Sequence, residues 1–343
     1  MRVTTSKASD LNPTDTALHA RASARLAWAR QATGEAELQL LSASSDAGFR
    51  SYWRGTTERG SCIVMDSPPA LEDVRPWLRM HALFDEAGVR IPKVLARDTA
   101  AGFLLLEDLG VPTYLQLLDD DNADAMFDTA IDQLLKIQHI PPPDDLPAYD
   151  RDMLARELGL FDEWFLGTHL GIVLDARETA QLHAMYDRLI EAALQQRQTL
   201  VHRDFMPRNL MPAGDLAAVI DFQGAVRGPI AYDAISLYKD AFQGWPLPRV
   251  DAWLLHYRQR ALDSGLVLPG ADAFARDADW IGMQRHLKIL GIFARLKHRD
   301  HKPRYALDAP RFAGYLTDVL PRYPELAPLL ALLQRHVLPA LDR

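Results

Sequence analysis

The run His202-Arg203-Asp204-Phe205-Met206-Pro207-Arg208-Asn209, followed after a short interval by Asp221-Phe222-Gln223-Gly224, decides the reading of this chain. Residues 210–220 are apolar at both ends around Pro212-Ala213-Gly214-Asp215. That turn chemistry predicts a hairpin that returns Asp221 to the side of Asn209. Two carboxylates and an amide would then share one place. Magnesium, a hard octahedral cation, takes one or two protein oxygens and leaves its other positions to phosphate and water. Asn209 and Asp221 are groups of that kind, and Asp204 is a further carboxylate that would orient an acceptor hydroxyl and take its proton as a general base. The competing reading makes Asp204 and Asn209 turn residues and Asp221 a helix cap. Four fixed residue types at one spacing favour the chemical reading.

Outward from this segment, the composition is that of a globular protein. The chain has 343 residues, 48% of them hydrophobic and 24% charged, with a formal net charge of −8. Its length suggests two packed units. One cysteine, Cys62, excludes an internal disulfide framework and a Cys-rich zinc site, and fits a reducing compartment. No secretory signal and no apolar run of membrane-spanning length is visible, so a cytoplasmic location is expected. No H-E-x-x-H or G-x-S-x-G pattern points to a zinc or serine hydrolase.

Residues 12–31 read as an amphipathic helix. Short β-forming segments follow at 37–42, 51–55 and 61–66, with 44–48 as a hairpin tip, then a helix over 73–86 and strands at 91–97 and 102–107. These predict a small antiparallel sheet with a helix packed on it. From Asp108 helices dominate, at 123–139, 152–166 and 175–196, and the β-rich interval 199–222 interrupts them. The expected fold is α+β and bilobal, with a smaller lobe over 1–107 and a mostly helical lobe over 108–343 enclosing one cleft.

With those motifs in view, the chain resembles the aminoglycoside-phosphotransferase and choline-kinase-like group, which shares the protein-kinase fold. The first segment fits H-R-D-x-x-x-x-N and the second stands where such enzymes carry D-F-G. Members of the group often have H-G-D in place of His202-Arg203-Asp204. A narrower similarity runs through residues 61–69, 105–110, 219–223 and 284–296, to the bacterial N-acetylmuramate/N-acetylglucosamine anomeric kinases. The resemblance implies ATP and Mg2+ as cofactors, phosphorylation of the C1 hydroxyl of a cell-wall amino sugar, and peptidoglycan recycling. It further implies that His202 and Asp233 support the catalytic loop, Asp233 being otherwise a helix N-cap. A small-molecule partner and a monomer are expected, with no nucleic acid and no membrane. An aminoglycoside- or choline-directed enzyme, or a nucleotide-binding pseudokinase, is the alternative.

One departure supports that last alternative. Kinase-like folds place a Lys on the third strand to hold the α/β-phosphates. Here the position falls near Met65, and Arg50 and Arg54 are the candidate substitutes, either of which is otherwise a solvated arginine. Glu107 and Leu109, around Asp108, occupy the connector where main-chain groups would meet adenine. For the acceptor, residues 281–311 hold eight Lys and Arg against two Asp. Within them Arg285, Lys288, Arg295 and Arg299 align on one helix face. This basic stripe suits a carboxylate or a product phosphate, or is simply a solvated face. Arg208 and Trp245 complete the candidate acceptor contacts, Trp245 as a sugar-stacking ring or as part of the core.

Overall fold

The computed structural model describes residues 13–45 and 49–341. It divides into two compact units, one running to Arg79 and including Pro92–Gly110, the other comprising Met80–Ile91 and the chain from Val111 onward. The division therefore falls inside a helix, α2 (Arg75–Glu86), and again at Gly110.

In the first unit, β1 (Leu40–Ser45), β2 (Ser51–Thr57), β3 (Gly60–Asp66), β4 (Val94–Asp98) and β5 (Phe103–Glu107) form one sheet in the order β1-β2-β3-β5-β4. Every pairing is antiparallel. The sequence places each strand to within a few residues; of the expected tip at 44–48, residues 46–48 lie outside the described residues. Alternation along β3 puts Cys62 and Val64 on one face, where they meet Leu105, Leu38 and Ala29 of α1 (Pro13–Thr33). The amphipathic reading of α1 missed what docks it. Arg21 and Arg25 bind the buried carboxylate of Asp66, with Arg21 Nη2 at 2.7 Å from Oδ1 and Arg25 Nη1 at 2.9 Å from Oδ2. The same guanidinium groups lie over Phe103 at 4.1 Å and Trp53 at 3.6 Å. Cations with aliphatic stems do here what leucines do elsewhere. At the far end of the sheet Gly102, at φ +73°, accepts the N–H of Ser67, and a Cβ there would sit 1.9 Å from Ser67 O.

The second unit is largely helical. After the short α3 (Tyr114–Leu117) come α4 (Ala123–His139), α5 (Arg151–Leu160), α6 (Ala176–Gln195), α7 (Ala231–Tyr238), α8 (Leu247–Asp263), α9 (Ala271–His298) and α10 (Ala309–Val319). From Phe161 to His169 the chain beyond α5 widens into a π-helix. At the core is α9, buried on most sides from Ala278 to Ala294. It comes so close to α5 that a Cβ on Gly291 would lie 2.4 Å from the carbonyl carbon of Leu160. Between α6 and α7, β6 (Gln198–Val201) pairs antiparallel with β9 (Val226–Pro229), which ties off the segment 202–225 as an excursion from a two-stranded ladder. Inside it, β7 (Leu210–Ala213) and β8 (Leu216–Val219) form the expected hairpin, with Gly214 at φ +66° turning the chain. Among the described residues no helix is long and apolar enough to cross a membrane.

A candidate phosphoryl-transfer site

Hairpin register brings the motif residues together. Leu210 pairs with Val219, and the N–H of Ile220 donates to Asn209 O at 3.0 Å, so Asn209 and Asp221 stand at the open end of the same hairpin. Both Arg203 (φ 74°) and Asp221 (φ 64°) have left-handed backbones, a conformation that a non-glycine residue adopts at a cost and that recurs at functional sites. The second half of α2 backs the excursion. Fully buried Phe84 lies 5.2 Å from the ring of Phe222 and 6.4 Å from that of His202. The sequence reading assigned this helix to the small sheet; its later residues belong to the helical unit.

Asp233, at the start of α7 and wholly buried, accepts the N–H groups of His202 at 2.7 Å and Arg203 at 3.0 Å. One carboxylate thus clamps the backbone where the loop turns left-handed. Burial pushes Asp233 up to about 7, against the pull of those two donors. His202 is buried too, and desolvation lowers it to about 4. It is neutral near pH 7, and its bonds assign the tautomer: Nδ1 accepts the N–H of Asp204 at 3.3 Å, so Nε2 carries the proton and faces Ile220 O at 3.1 Å. His202 therefore joins the two ends of the excursion.

The three polar side chains differ in what remains open. Asp204 is exposed, and its carboxylate has no hydrogen-bond or ion-pair partner among the described residues. Asn209 spends its amide nitrogen on Asp204 O at 2.9 Å, which leaves Oδ1 as an acceptor. Asp221 is half-buried and accepts from Gln223 Nε2. An amide oxygen and a carboxylate at one hairpin end match the donor set of a hard cation that also binds phosphate. Among the described residues no cluster of three or more His, Cys, Asp or Glu is arranged to hold a metal.

Beneath the loop lies a network that the motifs did not reveal. Glu157 of α5 is bound by Arg203 Nη2 at 2.7 Å, by Lys288 Nζ of α9 at 2.8 Å, and by the hydroxyl of Tyr149. Burial would raise the Glu157 carboxyl, but Lys288 and Arg203 together bring it below its ordinary range. This corrects the basic stripe. Lys288 is buried on Glu157 and Tyr232, whose hydroxyl lies 3.2 Å from its ammonium. Arg285, 1% exposed, donates to Lys239 O at 3.2 Å, while Arg299 is exposed on Asp300. Arg295 is half-buried with its Nε unpartnered among the described residues, and Arg299 lies just past the end of α9, so the four residues share neither exposure nor a common ligand. Trp245 is corrected as well. It is 8% exposed and edge-on to Phe127 and Trp253, so it belongs to an aromatic core and has no free face for a sugar.

In the first unit, Arg54 is engaged by both carboxylate oxygens of Asp108, at 2.6 and 2.9 Å, and by Gly110 O. Its fork is filled, so the expected phosphate role gives way to bracing the connector. Arg50 is different. It is buried, lies 3.4 Å from Glu72, and its Nη1 has no hydrogen-bond partner among the described residues. Strand alternation puts Arg50 and Tyr52 on one face, with Met65 opposite Tyr52 and fully buried. Arg54 shares that face, and Arg50 differs from it in keeping open donors. The main chain of Glu107 is paired to Lys93, whereas that of Leu109 makes no hydrogen bond among the described residues.

Comparison with known proteins agrees with this geometry. The family described as phosphotransferase enzyme family (APH) matches residues 39–273. The chain belongs to that family. The phosphotransferase is 48% identical to an N-acetylmuramate/N-acetylglucosamine kinase of Pseudomonas aeruginosa, over 86% of this chain and 88% of the relative. It is 42% identical to a protein of the same name from Neisseria meningitidis serogroup B, over 89% of this chain and 93% of that one. Solved structures share the fold at low identity. One is the ADP-bound aminoglycoside phosphotransferase APH(2'')-Ib, with TM-score 0.57 and 15% identity, covering 84% of this chain and 96% of that one. A Plasmodium vivax ethanolamine kinase has TM-score 0.59 and 11% identity, over 88% of each chain. What the motifs missed in the phosphotransferase are Glu157, Tyr149 and Asp66. An isolated acid in a helix, a tyrosine before a cap and a strand-end aspartate carry no local signal, since each acquires its role from residues far away in the chain.

Proposed function

We propose that the protein is a cytoplasmic kinase that uses ATP and Mg2+ to phosphorylate the C1 hydroxyl of N-acetylmuramate and N-acetylglucosamine, a step of peptidoglycan recycling. The observation that carries this is the exposed, unpartnered carboxylate of Asp204 beside the open Oδ1 of Asn209, in a chain nearly half identical to kinases of those two sugars. Asp204 orients the anomeric hydroxyl toward the γ-phosphorus and accepts its proton as the O1–P bond forms and the bond to the ADP oxygen breaks. Because an anomeric hydroxyl is more acidic than an ordinary alcohol, orientation contributes more than basicity. Asn209 Oδ1 and the Asp221 carboxylate would hold magnesium, which neutralises charge on the β- and γ-phosphates. Arg50 takes the part of the missing strand lysine, and the open main chain at Leu109 meets the adenine edge. Asp233 and His202 keep the loop in its left-handed turn, and Arg203 is held from below by Glu157.

The test is phosphorus NMR of the product formed from ATP and each amino sugar. A phosphate at C1 couples to the anomeric proton, whereas one at C6 does not. Phosphate appearing solely on an aminoglycoside would overturn the sugar assignment. Asp204→Asn is expected to abolish turnover while nucleotide affinity is largely kept. Retention of more than about a tenth of kcat, equivalent to under roughly 1.4 kcal/mol, would remove Asp204 from the role of base.

A further inference from the structure

Arg208 stands one residue before Asn209 on the catalytic loop, is exposed, and makes no ion pair among the described residues. Its guanidinium lies 5.5 Å from the centre of the Phe242 ring, in the segment after α7. Next to it is Tyr305, which follows α9. Arg304 donates to the Tyr305 hydroxyl at 3.1 Å and lies 4.9 Å from the centre of its ring. Arg304 first, and Arg208 after it, hold that phenol below its usual range. Arg304 is likewise exposed and without an ion pair among the described residues.

The nearby carboxylates make no ion pair with either arginine, although the buried Asp240 keeps an unpartnered Oδ1 and feels the charge of Arg208. Asp308 pairs with Arg311 at 3.3 Å. Asp240 is completely buried, accepts the N–H of Phe242 at 3.0 Å, and is raised by that burial. Two guanidinium groups and a phenol, beside an aromatic face and without an ion-paired carboxylate among the described residues, make a receptor for a planar anion. The two acceptors assigned above differ in one feature. N-acetylmuramate carries a lactyl ether, and hence a carboxylate, where N-acetylglucosamine has a neutral hydroxyl.

We propose that Arg208, together with Arg304 and Tyr305, binds the carboxylate of the acidic acceptor and sets the enzyme's preference between acidic and neutral sugars. This rests on the sugar-kinase reading and adds to it. The positive stripe that the sequence placed on α9 is internal; the free positive charge lies instead on the catalytic loop and just beyond the end of that helix. Arg208 reaches the acceptor while its neighbour Asn209 serves the cation, so one short turn addresses both substrates.

The experiment compares kcat/KM for N-acetylmuramate, its uncharged methyl ester and N-acetylglucosamine in wild-type enzyme and in Arg208→Gln, Arg208→Lys, Arg304→Gln and Tyr305→Phe. Turnover of the two natural sugars by the wild type tests the sugar-kinase reading on its own. For Arg208→Gln the loss on the acid should exceed the loss on the neutral sugar by roughly ten- to a hundred-fold, the worth of a charge-assisted contact, and should lie in KM. The ester should follow the neutral sugar, and Arg208→Lys should recover part of the selectivity. Arg304→Gln and Tyr305→Phe, off the catalytic loop, should give smaller losses with the same selectivity, and they answer the question even if Arg208 variants misfold. Equal losses on all three acceptors would overturn the proposal. So would a rise in KM for ATP common to all three, which would assign the arginines to nucleotide phosphate.

Discussion

Replacing Lys288 by Met tests the network under the catalytic loop. The substitution conserves much of the stem and removes an ammonium 2.8 Å from Glu157, where the two side chains are only 11% and 12% exposed. Breaking a buried ion pair by deleting one partner costs about 3–5 kcal/mol, because the remaining charge is stranded out of water. Glu157 keeps Arg203 at 2.7 Å and the Tyr149 hydroxyl, so its charge is only partly stranded and the cost falls to the bottom of that range or just below it, about 2–3 kcal/mol. At about 2–4 °C per kcal/mol for domains of comparable size, this is a fall in Tm of about 4–12 °C. The assay is urea and thermal unfolding of Lys288→Met, Glu157→Gln and the double variant. In the Glu157→Gln background, loss of Lys288 should cost about 1–3 kcal/mol less, since no carboxylate is then stranded. The wild-type advantage should also shrink on acidification. Glu157 is held below its ordinary range in the folded protein, so its contribution is present at neutral pH and is lost as pH falls through its folded pKa. If Lys288→Met costs the same in both backgrounds, to within about 0.5 kcal/mol, the two residues are not coupled and the reasoning fails.

Asp221→Asn should raise the magnesium concentration needed for half-maximal rate more than it raises the KM of the sugar, as measured by metal titration at saturating ATP. Gly291→Ala should lower stability by several kcal/mol, since the new methyl would collide with backbone at Leu160, and chemical denaturation would show it. The buried pair behind the loop gives a pH signature. His202, lowered to about 4, costs stability as pH falls from about 6.5 toward 4, whereas Asp233, raised to about 7, favours the folded state increasingly over much of the same descent. Asp233→Asn removes the second effect, so this variant should lose stability more steeply on acidification than wild type, by up to about 1.4 kcal/mol per pH unit; parallel curves would refute the assignment.

Local sequence determined a good deal here. A Gly in a four-residue turn and apolar flanks of matched length are enough to close the hairpin between β7 and β8. Closing it puts Asn209 and Asp221 at one end, because register is a local property of two short strands. The five strands of the first unit were legible for the same reason, as was α4, whose apolar stripe follows the helical period.

Charge was where local pattern fell short. Helical spacing gave Arg285, Lys288, Arg295 and Arg299 a common face, yet spacing says nothing of what lies opposite. Only the packing of α5, α7 and α10 around α9 decides that Lys288 meets Glu157 and that Arg285 meets the end of α7. Arg54 and Arg50 are the same residue type four positions apart. One is filled by Asp108 and the other keeps open donors, because the partner of the first arrives from the end of β5. A side chain's type and period are written in its own segment, whereas its burial and counter-charge come from segments a hundred residues away, and those are set when the chain folds.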